Sequence, residues 1–107
     1  MYVTSKSDWK LFMKKVPEWQ ERYMGKLNEE YIKLLQGNES DSEKFWKLDE
    51  RIKKDKKKKG VSLYMEKDDV LYNILMLIKE KAITTKDLAG FSRELKDEVD
   101  EVVKSWR

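Results

Sequence analysis

Apolar residues recur at intervals of three and four along most of the chain, the spacing of one helix face. The first such set is Trp9, Phe12, Met13 and Val16. Ser5 stands ahead of it, and Ser5 with Asp8 has the form of a capping box with Asp in place of Glu. A first helix is therefore predicted to start near Ser5. Pro17 lacks a backbone donor and also suits the first turn of a helix, so it is read as the end or a kink of that helix and the start of the next. The second helix is predicted from about Pro17 to Gln36, with Trp19, Tyr23, Leu27, Tyr31 and Leu34 on one face and Met24, Ile32 and Leu35 widening it. Gly37-Asn38 is a stop signal. Either Ser40 or Asp41 caps a third helix carrying Phe45, Trp46, Leu48 and Ile52, which runs into a lysine-rich stretch and is stopped by Gly60. The short turn between the second and third helices predicts an antiparallel helical hairpin over about 17–59.

Val61 to Met65 alternates only weakly and reads as a linker, since a single strand makes no sheet. Asp68 and Asp69 open a fourth helix with Val70, Leu71, Ile74, Leu75 and Ile78; this most apolar stretch is expected to be the central core helix. Thr84-Thr85 opens a short helix containing Leu88, stopped near Gly90. Ser92 caps a last helix with Phe91, Leu95, Val99, Val102 and Trp106 on one stripe. The expected fold is all-α: a compact bundle of about five to six helices in one domain over residues 1–107, with the C-terminal helices over about 68–106.

Composition sharpens this picture. Charged residues make up 42% of the chain, well above the roughly 25% of an ordinary domain, which raises the question of disorder. Leu, Ile, Val and Phe together number 26 of 107 residues, above the roughly 20% associated with disorder, and four Trp and five Tyr add burial capacity. A folded domain with a heavily charged surface follows. There is no Cys and no His, which removes disulfides, thiolate metal sites, the commonest general base and the usual partner of a Ser or Cys nucleophile. The longest apolar run, Ile74 to Ile78, has five residues, far short of the roughly 18 needed to span a membrane. No secretory h-region follows Met1, so the expected location is cytoplasmic, without a membrane partner.

The charge is concentrated. Residues 1–50 carry nine basic against ten acidic side chains, and residues 68–107 carry seven against nine. Residues 51–67 carry eight basic against two acidic, so the whole positive excess lies in this segment. Arg51, Lys53, Lys54, Lys56, Lys57, Lys58 and Lys59 are the candidate binding residues, toward nucleic acid or an acidic protein surface. The plainer reading is a set of solvated lysines complementing a helix C-terminus. Lys outnumbers Arg here, which favours diffuse electrostatics over planar base recognition. Phe45 and Trp46 are adjacent and cannot both face inward. Trp46 is the candidate exposed aromatic, suited to stacking on a base or to anchoring a protein interface.

The acidic set Glu94, Asp97, Glu98, Asp100 and Glu101 follows the polar face opposite Leu95, Val99 and Val102 and reads as a solvated face. The Glu-x-x-His motif of helical di-metal sites is absent, as is any Gly-rich phosphate loop. No catalytic residue, metal site or cofactor is expected.

Ser7-Asp8-Trp9-Lys10-Leu11-Phe12, Pro17-Glu18-Trp19-Gln20-Glu21, Leu27-Asn28-Glu29-Glu30-Tyr31-Ile32, Ser42-Glu43-Lys44-Phe45-Trp46 and Asp87-Leu88-Ala89-Gly90-Phe91-Ser92 together resemble a group of small helical proteins of Gram-positive bacterial mobile elements. Such elements carry many small, charged, enzyme-free proteins, the anti-CRISPR inhibitors of RNA-guided nucleases among them. The resemblance implies a non-catalytic inhibitor that binds a CRISPR effector nuclease or its guide RNA and blocks assembly or activity. The net charge of +3 departs from the acidic DNA-mimicking members of that class. An alternative is a small regulator that binds DNA or RNA directly, and a third reading is a self-associating protein whose homodimer seam is the Phe91-to-Trp106 stripe.

Overall fold

A computed structural model describes residues 2–106 of the chain; residues 1 and 107 of the expected domain lie outside them. The described residues are all-helical, without a strand. Four α-helices form: α1 (Lys6–Leu35), α2 (Asp41–Asp55), α3 (Val70–Lys79) and α4 (Arg93–Ser105). Two 3-10 turns, Lys67–Asp69 and Thr85–Leu88, complete the list of elements.

The expected five to six helices are thus corrected to four. The first two predicted helices are one, because α1 runs straight through Pro17. Phe12, Val16, Trp19, Tyr23 and Leu27 are all buried, and their unbroken three-and-four spacing holds both sides of Pro17 to one helix. Pro17 and Met13 are exposed, so the backbone bond that proline cannot make is missing on the solvent side, where water can serve Met13's carbonyl. The short helix predicted after Thr84 is a 3-10 turn closed by a capping box between Thr84 and Asp87. It lasts four residues because Ala89 leaves helical geometry and Gly90 takes φ +93°.

Three caps form at predicted positions: Ser5 Oγ accepts from the Asp8 amide, Ser40 Oγ from Glu43 and Ser92 Oγ from Leu95. Residues 61–66 are a linker, with Val61 and Leu63 packed on the core.

The core lies where the N-terminal two-thirds of α1 meets α3, the 80–91 loop and α4. Phe12, Trp19, Val70, Ile74, Leu77, Ile83, Leu88, Leu95 and Val99 fill it, and the Trp19 ring packs between Phe12 and Phe91. Arg22 fastens the 80–88 loop to α1 with two bonds to the Asp87 carboxylate and one to the Ala82 carbonyl. At the end of α3, Lys81 takes φ 64°, the left-handed position that commonly follows a helix. Phe91, Leu95 and Val99, expected as a possible dimer stripe, are buried inside this core.

The expectation of a compact body is overturned. The molecule measures 51 × 29 × 19 Å with a radius of gyration of 16.4 Å, against about 13 Å for a compact domain of this length. The 30 residues of α1 span about 45 Å, which accounts for most of the long dimension. Buried positions on α1 stop at Leu27, and on α2 only Asp55 is buried. The last two turns of α1 and most of α2 therefore project beyond the core as an arm.

Candidate functional site: the arm and its aromatic tip

The arm is rooted by one acid. Asp55 is 2% exposed and accepts a 2.6 Å hydrogen bond from the Tyr31 hydroxyl. Arg51 Nη2 stands 3.4 Å from its Oδ2, and Lys58 Nζ stands 3.2 Å from its Oδ1. Burial alone would raise the Asp55 pKa; the Tyr31 bond and the two cations outweigh it and hold the carboxyl below its ordinary value. Tyr31 is pushed up to about 12 by burial and by the carboxylate it faces. Arg51 also bonds Glu30 at 2.8 Å and lies over the Tyr31 ring. A few residues on, the Glu80 carboxylate accepts from the Lys59 and Gly60 amides, and Gln20 donates to the Lys59 carbonyl. As the chain climbs from 51 to 60, its partners on α1 move from Glu30 and Tyr31 back to Gln20 and Tyr23.

The basic run is consequently not one patch. Arg51 and Lys58 are committed to Asp55 and Lys53 pairs with Asp49 at 3.0 Å. Lys54, Lys56, Lys57 and Lys59 make no ion pair among the described residues. Arg51 and Lys54 lie with Leu34, Lys47 and Glu50 on one side of the arm. Lys56 lies on the other side, against a groove lined by Met24, Leu27, Asn28, Tyr31, Ile52, Asp55 and Val61. The structure thus separates residues that the sequence grouped.

At the far end both members of the adjacent aromatic pair are exposed, Phe45 at 63% and Trp46 at 64%. Their rings meet edge to face with centroids 5.1 Å apart. Ile32 and Leu35 of α1 are exposed as well. Phe45 precedes Ile52 by seven residues, which returns to the same side of a helix, so Phe45 and the groove share one side of the arm, with Trp46 about 100° round from it.

Two features went unread in the sequence. Asp55 is the single acid inside the lysine run, and that isolation was a signal of a neutralised hub. The other is the role of Asp8: expected as the reciprocal half of a capping box with Ser5, it is buried and its carboxylate accepts from Tyr2, from the Ser92 amide and from the Ser92 hydroxyl. The acidic face of α4, with Tyr2, lines only an open depression, and no group of three or more acidic side chains among the described residues is placed to hold a metal ion. No helix there is long and apolar enough to cross a membrane.

No protein-family model matches the chain, and comparison with curated proteins and with solved structures finds no significant match.

Proposed function

We propose that the chain is a non-catalytic binding protein that acts stoichiometrically through the arm, with α1 and α2 as an antiparallel helical hairpin and its tip as the contact surface. The observation that carries this reading is the Phe45–Trp46 pair, open to solvent at the end of an arm whose root is tied down by Asp55. Exposed clustered apolar side chains mark interaction surfaces, and Trp is enriched among the residues that dominate interface energetics. The target we propose is an RNA-guided nuclease or its guide RNA, in the manner of an anti-CRISPR inhibitor from a mobile element. The sequence resemblance supports that target, and the stretch Ser42 to Trp46, part of that resemblance, forms the tip.

Purified protein mixed with an RNA-guided nuclease, with and without guide RNA, tests this by native gel. The expected result is a new complex, or loss of the nuclease–guide complex, that Trp46→Ala abolishes. An unchanged nuclease–guide complex at saturating protein would overturn the target, and an undiminished effect of Trp46→Ala would overturn the tip.

A second reading, direct regulation of DNA or RNA, is favoured by Lys54, Lys56, Lys57 and Lys59, which have no acidic partner among the described residues. It predicts binding to nucleic acid alone, with the logarithm of the affinity falling by about 0.9 per duplex phosphate contacted for each logarithm of salt.

A further inference from the structure

The groove between α1 and α2 has a chemical character that limits what can fill it. Its walls are Met24, Leu27, Tyr31, Ile52 and Val61, with Asn28 and Lys56 at the lip. Its one acid, Asp55, is already neutralised by Arg51, Lys58 and the Tyr31 hydroxyl. A volume of about 180 Å³ falls below the roughly 300–1,000 Å³ of small-molecule sites, so it suits a single large apolar side chain. Lys56 lies at the groove just past the end of α2 and the exposed Lys57 follows it, neither with an ion pair among the described residues, while Lys53, one turn before, is paired with Asp49. A carboxylate on the entering segment would meet Lys56 and Lys57, whereas a basic residue would be repelled. Phe45, with the Trp46 ring edge to face against it, offers a second apolar foothold on the same side. Seven residues separate Phe45 from Ile52, or about 10 Å along the axis, which matches the i, i+7 anchors of a helix laid parallel to α2.

From this apolar floor and cationic edge we infer that the groove and the aromatic pair together receive the apolar face of an acidic amphipathic helix from a protein partner. The inference rests on the binding reading above and specifies the chemistry of the partner surface. One apolar side chain of the entering helix fills the groove, and another, two turns away, packs on Phe45 and Trp46. Glutamates or aspartates flanking these anchors face Lys56 and Lys57.

The test uses two labelled peptides of roughly five helical turns, both with Leu at i, i+4 and i+7. One carries Glu at the flanking positions and the other Lys. Fluorescence anisotropy should show saturable binding of the acidic peptide and at least about tenfold weaker binding of its lysine twin. Met24→Glu, in the half-buried wall of the groove, should weaken the acidic peptide by a similar factor. So should Lys56→Glu with Lys57→Glu, which alters only exposed positions that make no ion pair among the described residues. No saturable binding, equal binding of both peptides, indifference to all these substitutions, or displacement of the peptide by single-stranded RNA would overturn the inference. If the peptides fail while Trp46→Ala still abolishes the effect on the nuclease, the groove assignment falls and the tip stands. If Trp46→Ala and Met24→Glu both leave that effect intact, the tip reading falls with it.

Discussion

The Tyr31 hydroxyl donates to Asp55 Oδ2 at 2.6 Å across α1 and α2, and this contact marks where the core gives way to the arm. Above it no residue of α2 is buried, and below it the loop is held by Glu80 and Gln20. Asp55→Asn keeps the shape but removes the charge facing Arg51 and Lys58. Breaking a buried pair costs about 3–5 kcal/mol; here both cations are partly exposed, so a loss nearer 2 kcal/mol is expected. The urea midpoint reports it.

The same carboxylate sets an acid sensitivity. Asp8, Asp55 and Asp87 all have folded pKa values below their ordinary ones. A depressed aspartate contributes stability that is complete above the unfolded value, about 3.9, and is lost as pH falls toward the folded value. Wild type should therefore lose stability steeply below about pH 4. The gap between wild type and Asp55→Asn should shrink over that window, as denaturant melts at neutral and acid pH would show.

Asp8 ties the start of α1 to the start of α4, two helix N-termini whose dipoles favour its negative charge. Burial would raise its pKa, but the bonds from Ser92 and Tyr2 outweigh that effect. Asp8→Ala removes three acceptor contacts. With about 1.5–3 kcal/mol for a hydrogen bond to a charged group and partial replacement by water, a loss of about 3 kcal/mol is expected. Thermal melting should show it, with a smaller loss for Tyr2→Phe.

Gly60 is fixed by close approach. A Cβ there would collide with the Tyr23 ring, and Tyr23 is a buried core ring. Gly60→Ala should cost about 1–3 kcal/mol from overpacking, whereas Gly25→Ala, with open space around it, should stabilise α1 by about 0.5–1 kcal/mol.

Helix content, three caps and the core face were legible because they are local: Ser5, Ser40 and Ser92 each precede an apolar periodicity. The continuity of α1 was legible too, in the spacing Val16, Trp19, Tyr23, but the missing donor of Pro17 signals a break locally, and only the buried stripe overrides it. The exposure of both Phe45 and Trp46 was not legible. Helical spacing assigns an aromatic a face, and only the reach of neighbouring elements decides whether that face is covered; α3 and α4 end short of the arm. For the same reason the sequence grouped Arg51 to Lys59 as one patch, while the turn of α2 sends Arg51 and Lys54 to one side and Lys56 to the other.

Phe45 and Trp46 are both largely exposed, so replacing both by Ala should change stability by no more than about 0.5 kcal/mol, as for surface positions elsewhere. An interface anchor costs at least about 2 kcal/mol of binding when truncated. The double variant should thus separate the two properties: an unchanged melting curve with at least about thirtyfold weaker binding.

The most direct measurement is amide hydrogen exchange of the protein alone and in the presence of an RNA-guided nuclease loaded with its guide. The account predicts slowed exchange over the tip of the arm, from Ile32 through α2 to Lys59, with α3 and α4 unchanged. Protection confined to α3 and α4, or none anywhere at saturating nuclease, would contradict it.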